Sequence, residues 1–280
     1  MKTGNAKIAE YFDATMPYYR TFWHRGTNAL HYGFWDEHTK SVKDALIRTN
    51  AVLAEIAGIT SKDNVLDAGC GVGGSALWLA SHTGATVRGI TLSPQQRDEA
   101  TRLAEQENLG KLVRFEIGDY LRTGFADESF DVVWAVESVC YAEEKRDFLR
   151  EAYRILKPGG RLVIADGFLK RDPVSDVERR DYKYFLDGLA LTNLAKNDSF
   201  KEAMTSIGFR KIAFFDKTQE ILPSSRRLYF RCLAAYPFFR LANLIGIVPD
   251  IVMKNGPAGI AQWKLVRSGV GGYSVFYGEK

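Results

Sequence analysis

The sequence contains few cysteines, and none of them has a paired spacing. Only Cys70, Cys140 and Cys232 occur among the 280 residues, and they lie far apart along the chain. A disulfide framework needs several cysteines that can pair, and zinc sites typically show short ligand spacings such as C-x2-C. The sequence therefore predicts neither disulfides nor a metal site, and it favours the interior of the cell.

Long apolar runs and a signal-like beginning are also missing. The first ten residues contain no apolar h-region, and no stretch reaches the ~18 uninterrupted apolar residues typical of a membrane span. The nearest candidate, Cys232–Val252, is interrupted by Pro237, Arg240 and Pro249. We therefore expect a cytoplasmic protein in which this segment forms an apolar lid or touches a membrane surface.

Charge of one sign is not concentrated in any part of the chain. The 38 basic and 34 acidic side chains give a formal net charge of +4 and are spread along the sequence. A nucleic-acid-binding domain usually gathers its Lys and Arg residues into a basic patch or block. Together with a hydrophobic content of 46%, this distribution predicts a globular protein without a nucleic-acid partner.

The chain does contain a regular alternation of strand-like and helix-like segments, which predicts a parallel sheet covered by helices. The candidate strands are Asn64–Ala68, Thr86–Thr91, Val113–Gly118, Phe130–Val136, Gly160–Asp166, Arg210–Asp216 and Tyr273–Tyr277. The candidate helices are Gly74–Ser81, Pro94–Glu107, Glu144–Leu156 and Ser199–Ile207.

Three parts of the chain lie outside this alternation. Residues 1–60 precede the first strand, and we expect them to form an N-terminal helical cap. Residues 169–197 and 219–272 interrupt the pattern and are rich in aromatic and aliphatic side chains. We expect these two insertions to form a lid over a core that consists of residues 61–168, 198–218 and 273–280.

A glycine-rich turn follows the first candidate strand. Residues 64–74 read NVLDAGCGVGG, so that the strand runs into Gly69, Cys70 and Gly71 before a helix begins. Glycines let a ligand approach the backbone, and the helix N-terminus offers unpaired N–H groups. Dinucleotide sites hold a pyrophosphate here and use the spacing G-x-G-x-x-G, whereas this turn reads G-x-G-x-G and follows an acid. Asp67 suits a ligand that carries an ammonium and a sulfonium.

With this turn the chain resembles the class I S-adenosylmethionine-dependent methyltransferases. The second strand lacks the acid that often holds ribose hydroxyls. Instead, Thr91-Leu92-Ser93-x-x-Gln96 resembles the cyclopropane fatty acid and mycolic acid synthases and the sterol and tocopherol C-methyltransferases, although Ser93-Pro94 also fits an ordinary helix start. The resemblance covers about residues 64–167. It implies a Rossmann-like doubly wound α/β sheet, mostly parallel with an antiparallel last strand, an α-helical lid, and S-adenosylmethionine as cofactor.

The resemblance also implies a set of donor-binding residues. The end of the second strand would contact the ribose and methionine parts, Asp119 would accept from the adenine amino group, and Tyr120 would cover the ring. Aromatic residues ahead of the first strand would close over the donor, unless they form core, and residues 119–120 fit an ordinary turn equally well. The full set is Tyr19, His31, Tyr32, Asp67, Gly69, Cys70, Gly71, Thr91, Leu92, Gln96, Asp119 and Tyr120.

Glu137 is the candidate catalytic residue. It follows the fourth strand, whose carboxyl end opens onto the crevice where such sheets bind ligands. In lipid and isoprenoid C-methylating relatives an acid at the matching position lies by the reacting centre, where it can remove a proton after an alkene is alkylated. Alternatively, Glu137 begins a helix and is bound by backbone N–H groups. His24 and His31 are possible bases for a hydroxyl or amine acceptor.

The sequence therefore predicts methyl transfer to a small, apolar acceptor. C-methylation of an isoprenoid, sterol, quinone or lipid-like molecule is the leading hypothesis, because Leu228–Val252 is strongly apolar. We expect Arg226, Arg227 and Arg231 at its edge to contact an acidic head group or a membrane surface, if they do not merely solubilise one helix face. N- or O-methylation of a natural product stays open, as do a nicotinamide-dependent oxidoreductase and a non-catalytic binding protein.

Overall fold

The computed structural model describes residues 3–22 and 27–280, with side chains described for residues 4–18 and 27–280. Within these residues, seven strands form one sheet. The strands are β1 (Asn64–Ala68), β2 (Thr86–Thr91), β3 (Val113–Ile117), β4 (Phe130–Val136), β5 (Leu156–Leu169), β6 (Arg210–Asp216) and β7 (Gly271–Glu279).

Helices cover the sheet and extend beyond its strand ends. They are α1 (Thr3–Phe22), α2 (Val42–Ala57), α3 (Gly74–Thr83), α4 (Pro94–Gln106), α5 (Lys145–Ile155), α6 (Asp176–Gly188), α7 (Asn197–Ile207), α8 (Thr218–Leu244), α9 (Asp250–Met253) and α10 (Asn255–Arg267). A short 3-10 turn, Val139–Tyr141, follows β4.

The strand order is β3-β2-β1-β4-β5-β7-β6. Strands β1 to β5 pair in parallel, whereas β7 lies antiparallel between β5 and β6. The order reverses between β1 and β4, which is the point at which doubly wound sheets open a crevice for ligands. This topology confirms the predicted Rossmann-like α/β fold with its antiparallel last strand.

The predicted bounds of β5 were wrong. The sequence predicts Gly160–Asp166, but the strand begins at Leu156, which pairs with Phe130, and ends at Leu169, which pairs with Gly271. The extension to Leu169 exists because β7 supplies nine antiparallel pairing positions from far along the chain, whereas the earlier start at Leu156 comes from pairing with β4. Local sequence cannot reveal such a partner, and the Pro-Gly-Gly segment looks like a strand boundary.

Both faces of the sheet are buried, as the alternation of strands and helices requires. Neighbouring residues of one strand point to opposite faces. Val65 and Val132 therefore join one core cluster together with residues of α2 and α3. Leu66 and Val133 join the other, together with residues of α5 and α7.

The segment between β6 and β7 folds into α8, α9 and α10. Helix α10 packs against both α6 and α8, and Gly259 makes close packing possible because a Cβ there would lie 2.3 Å from Cys232 Sγ. Helix α8 continues through Pro223 and Pro237 for 27 residues. No helix in the described parts of the chain is both long and apolar enough to cross a bilayer.

Candidate active site

The carboxyl ends of the parallel strands form the floor of a cavity of about 770 Å³. The residues of β1, β2 and β4 and the turns after them make up one end. Apolar side chains from α6, α8 and α9 and their connections make up the other, including Phe185, Leu189, Leu228, Tyr236 and Val252. The volume lies in the upper part of the range of about 300–1,000 Å³ that is usual for small-molecule sites.

The glycine turn brings backbone to the cavity wall. The N–H groups of Gly69 and Cys70 both donate to the carbonyl oxygen of Ile90, at 3.0 and 2.9 Å. Gly71 has a φ of +54°, and a Cβ at this position would stand 3.3 Å from Leu30 Cδ1. A left-handed backbone of this kind favours glycine, and the missing side chain leaves the peptide surface accessible. Gly69, Cys70 and Gly71 all line the cavity, and their contact with the donor stays a prediction.

Asp67 lies at the end of β1 and is almost completely buried. It lines the cavity, and among the described residues its Oδ2 atom has no hydrogen-bond partner. Burial raises the pKa of this carboxyl to about 7. A buried carboxylate without a partner is costly, so a cationic ligand beside it would supply the missing interaction. The residues present therefore fit the ammonium-bearing donor that the sequence predicts.

The end of β2 begins helix α4 and also lines the cavity. The hydroxyl of Ser93 accepts the N–H of Gln96 at 3.0 Å, which caps α4. The hydroxyl of Thr91 donates to Oε1 of Gln96 at 2.7 Å, so these two polar side chains hold each other in place at the wall. Thr91, Leu92 and Gln96 line the cavity, and their contacts with the donor remain a prediction.

Asp119 and Tyr120 behave differently. Tyr120 lines the cavity, and its hydroxyl donates to the carbonyl oxygen of Ser138 at 2.8 Å. The two oxygens of Asp119 instead accept from Asn5 Nδ2 and from the N–H of Leu121, both at 2.8 Å. Asp119 is not part of the cavity wall. Its predicted contact with adenine would require Asn5 to give way or to share the carboxylate.

His31 and Tyr32 reach the cavity from the segment between α1 and α2. Since a carbonyl oxygen only accepts, the contact of 2.9 Å between His31 Nδ1 and the carbonyl oxygen of Tyr32 places the ring proton on Nδ1. Burial lowers the pKa of His31 to about 4, so the ring is neutral near pH 7. The predicted residues Tyr19, by its side chain, and His24 lie outside the described residues.

Glu137 lies directly after β4 with a φ of +48°, an uncommon conformation for a residue other than glycine. Its Oε1 accepts the N–H of Tyr32 at 2.5 Å and the hydroxyl of Tyr273 at 2.9 Å. Burial raises the pKa of Glu137 to about 8, and the charge of nearby Asp166 acts in the same direction, while the two hydrogen bonds oppose it. Such a group can exchange a proton near neutral pH. Both donors come from distant parts of the chain rather than from a helix start.

Several residues of this site were not among those predicted from the sequence. Asp166, in β5 before its end at Leu169, is buried, and its Oδ2 accepts from the N–H of Cys140 at 2.9 Å. Burial raises the pKa of Asp166. Asp166 ends the strand predicted at Gly160–Asp166, and an acid at such a strand end is the same signal that pointed to Glu137. Tyr273 and Gln262 had no local signal. Gln262 of α10 accepts from the hydroxyl of Tyr32 at 2.9 Å and thereby connects the lid to the segment that binds Glu137.

The three arginines predicted at the edge of the lid have different surroundings. The guanidinium of Arg227 lies 4.1 Å from the ring centre of Trp35, and that of Arg226 lies 5.8 Å from the ring of Phe230. Arg231 lines the cavity. Among the described residues, no group of three or more His, Cys, Asp or Glu side chains is arranged to hold a metal ion.

Known proteins resemble this chain in sequence. A family model described as "Methyltransferase domain" matches residues 66–164. The methyltransferase GfsG of Streptomyces halstedii is 31% identical over 78% of this chain and 78% of its own length. The 27-O-demethylrifamycin SV methyltransferase of Amycolatopsis mediterranei is 34% identical over 62% of this chain and 64% of its own length. The sterol 24-C-methyltransferase erg-4 of Neurospora crassa is 31% identical over 74% of this chain and 56% of its own length.

Solved structures share the fold across nearly the whole chain. The [4+2]-cyclase SpnF matches with a TM-score of 0.78 and 24% identity, over 98% of this chain and 94% of its own. The geranyl diphosphate C-methyltransferase of Streptomyces coelicolor matches with a TM-score of 0.74 and 21% identity, over 99% of this chain and 98% of its own. At these identities the structural likeness establishes the fold, and one of the two proteins is a cyclase by its name.

Proposed function

This chain belongs to the class I S-adenosylmethionine-dependent methyltransferases, and from that premise we propose that it methylates a carbon atom of a small, largely apolar molecule of isoprenoid, sterol, quinone or lipid-like character. This family assignment takes the place of the two other hypotheses, a nicotinamide-dependent oxidoreductase and a non-catalytic binding protein. The observation that carries the proposal is the cavity itself, which joins the glycine turn at one end to apolar lid side chains at the other.

At the donor end, the chain offers groups that fit the parts of S-adenosylmethionine. Asp67 would bind the ammonium, the backbone of Gly69 and Gly71 would allow close approach, and Thr91 and Gln96 would face the ribose. When bound, the cofactor supplies an electrophilic methyl group attached to a sulfonium. Holding donor and acceptor at near-attack distance in a dry pocket can account for much of the acceleration of such a displacement.

At the acceptor end, residues 169–197 and 219–272 would act as the binding lid, and residues 1–60 as a cap. Leu228, Tyr236 and Phe239 line the cavity there and favour an apolar acceptor. A sterol C-methyltransferase is among the relatives, and a structural neighbour was crystallised with geranyl diphosphate. Both support an acceptor with an alkene.

Glu137 would handle the proton in this reaction. Addition of a methyl group to an alkene produces a carbocation, which aromatic faces such as that of Tyr32 can stabilise. A carboxylate at the cavity wall can then remove a proton from the neighbouring carbon, which restores a neutral alkene. The hydrogen bonds from Tyr32 and Tyr273 fix Oε1 of Glu137 and leave Oε2 for this task.

O-methylation is the second candidate, and one observation favours it. His31 lines the cavity, and burial keeps its imidazole neutral near pH 7. A neutral imidazole at the cavity wall could take a hydroxyl proton from the acceptor. A relative that is named for O-methyl transfer to a rifamycin fits the same idea. Under this alternative His31, rather than Glu137, is the base.

Labelled methyl donor distinguishes the two. We expect enzyme incubated with cell extract and isotopically labelled S-adenosylmethionine to transfer the label to an apolar metabolite, and nuclear magnetic resonance of the product to place it on carbon. His31→Gln should then retain turnover and Glu137→Gln should lose it. Label on oxygen, with the two variants reversed, would establish the second candidate. We place this activity in the cytoplasm, because the three cysteines are free.

A further inference from the structure

The carboxyl-terminal half of α8 carries an exposed apolar surface. Its residues, which we call the α8 stripe, are Phe230, Leu233, Ala234, Pro237, Phe238, Leu241 and Leu244, and all are exposed. Each of them has another member three or four positions away along the helix, so they share one face. Phe238 is 74% and Leu244 80% exposed, and Ile247 in the following loop is 67% exposed. An exposed apolar patch of this kind marks an interaction surface.

The charge around the α8 stripe has one sign. From Ile221 to Pro249 the sequence contains four arginines and neither aspartate nor glutamate. Arg226 and Arg227 stand about one turn before the stripe, and Arg240 lies at its edge, given the rotation of about 100° per helical residue. Asp250 comes directly after this segment, where its Oδ1 accepts from Asn243 Nδ2 at 2.8 Å. The surface therefore combines apolar area with positive charge.

The α8 stripe is also continuous with the cavity. Ala234 and Phe238 belong to the stripe and line the cavity at the same time. Ala235 and Phe239, on the adjoining side of the helix, line the cavity as well. A molecule that arrives at the stripe is thus already at the apolar end of the cavity.

We propose that the α8 stripe docks on the surface of an anionic lipid bilayer, and that the acceptor enters the cavity from this surface. Interfacial helices insert an apolar face among the acyl chains while cationic side chains bind the head groups. One face of a single helix that lies in the interface contacts one leaflet. Docking is independent of the chemistry proposed above, whereas entry of the acceptor rests on it.

Co-sedimentation with vesicles tests the docking. The 280-residue chain is mixed with vesicles of phosphatidylcholine alone or of phosphatidylcholine and phosphatidylglycerol in equal parts. We expect binding to the mixed vesicles that weakens with added salt. Each of Arg226→Gln and Arg240→Gln should weaken it about fivefold. The triple variant Leu241→Ser, Leu244→Ser, Ile247→Ser should weaken it at least about tenfold.

Matched controls lie on other surfaces. Val174 and Val177 are 70% and 55% exposed near the start of α6, so Val174→Ser with Val177→Ser should leave vesicle binding unchanged, as should Arg150→Gln on α5. Unaltered thermal melting and donor affinity would show that the triple variant is folded and that the donor site is intact. The proposal is overturned if the wild-type protein does not bind the mixed vesicles, or if the triple variant binds them as tightly as the wild type does. The proposal is also overturned if light scattering shows a dimer for the wild type and a monomer for the triple variant, because the stripe would then cover a second copy.

Discussion

Asp67 and Glu137 are both carboxylates at strand ends of one cavity, but their surroundings differ. Asp67 Oδ2 has no partner among the described residues, while Glu137 Oε1 accepts two hydrogen bonds. Burial raises the pKa of both, to about 7 and about 8. The first arrangement suits a permanent contact with a cation. The second suits a group that gains and loses a proton.

We expect Glu137→Gln to lower turnover by roughly 10²–10⁴-fold, the usual effect of removing a positioned acid or base, with little change in donor affinity. The glutamine can still accept from Tyr32 and Tyr273, so the local structure should persist. Turnover of the wild type should rise as the pH passes through about 8, and this rise should be absent from the residual activity of the variant. A variant that turns over as fast as wild type would exclude Glu137 from the mechanism.

Gly71→Val should abolish donor binding, because a side chain would occupy the space where the ligand meets the backbone. Valine also strains a backbone with a φ of +54°. Gly124→Val provides the matched control, since Gly124 has a φ of +74° and open space around its Cβ position. Calorimetric titration with S-adenosylmethionine should show loss of binding in the first variant alone. Equal loss in both would indicate that strain, rather than the site, is responsible.

Helices α1 and α8 lie far apart in the sequence, and residues of both line the cavity. Helix α1 contacts the end proposed for the donor, where Asn5 Nδ2 donates to Asp119 at 2.8 Å and Asp13 hydrogen-bonds to the hydroxyl of Ser93. Helix α8 lines the end proposed for the acceptor. Substitutions in the two elements should therefore affect different ligands.

In α8, replacing Phe238 and Phe239 by Ala should weaken use of the acceptor and leave donor affinity nearly unchanged. Both rings line the cavity, and Phe239 also packs at 5.9 Å from Tyr18 of α1. Donor titration and acceptor saturation curves measure the two effects separately. A parallel fall of both affinities would indicate general destabilisation, and no change in either would place α8 away from the site.

In α1, Asn5→Ala should speed donor dissociation, because it releases the helix from Asp119 and from the loop after β3. Stopped-flow displacement of bound donor measures this rate. Lys7→Ala, an exposed position on the same helix, should leave it unchanged. If Asn5→Ala instead slows dissociation, Asp119 is freed for the donor and Asn5 competes with it.

The stability of the whole molecule depends on pH through its buried carboxyls. A carboxyl whose pKa is raised on folding stabilises the native state below the pKa of the unfolded chain, near 4, and this contribution is lost as the pH rises through the folded value. For Asp67 and Glu137 the folded values are about 7 and about 8. Each pKa unit corresponds to about 1.4 kcal/mol, so the total effect is of the order of several kcal/mol.

We therefore expect the free energy of unfolding of the ligand-free protein to fall between about pH 5 and pH 8. Urea titrations at several pH values measure it. Asp67→Asn and Glu137→Gln should each reduce the slope, whereas Asp44→Asn, at an exposed carboxyl whose pKa is lowered, should leave it unchanged in this range. Identical slopes in all variants would contradict the raised pKa values. Bound donor should offset the loss from Asp67, because it supplies a cation.

Local sequence patterns were enough to predict most strands of the sheet and the glycine turn that lines one end of the cavity. Period-two and helical patterns are local, and they predicted β1, β2, β4 and β6 with the bounds that the structure has. The turn at Gly69–Gly71 and the capped start of α4 are local too, because a few adjacent residues decide backbone conformation there. For the same reason the resemblance to methyltransferases could be read from residues 64–167.

Only the packing of the whole chain brings distant groups together in and around the cavity. Glu137 receives its hydrogen bonds from residues 105 and 136 positions away, and Asn5 reaches Asp119 across 114 positions. The carboxyl-terminal part of β5 depends on pairing with β7, and helix α10 packs against α8 while the α8 stripe stays exposed. Contacts between distant residues arise from packing of the whole chain, and no local pattern encodes them.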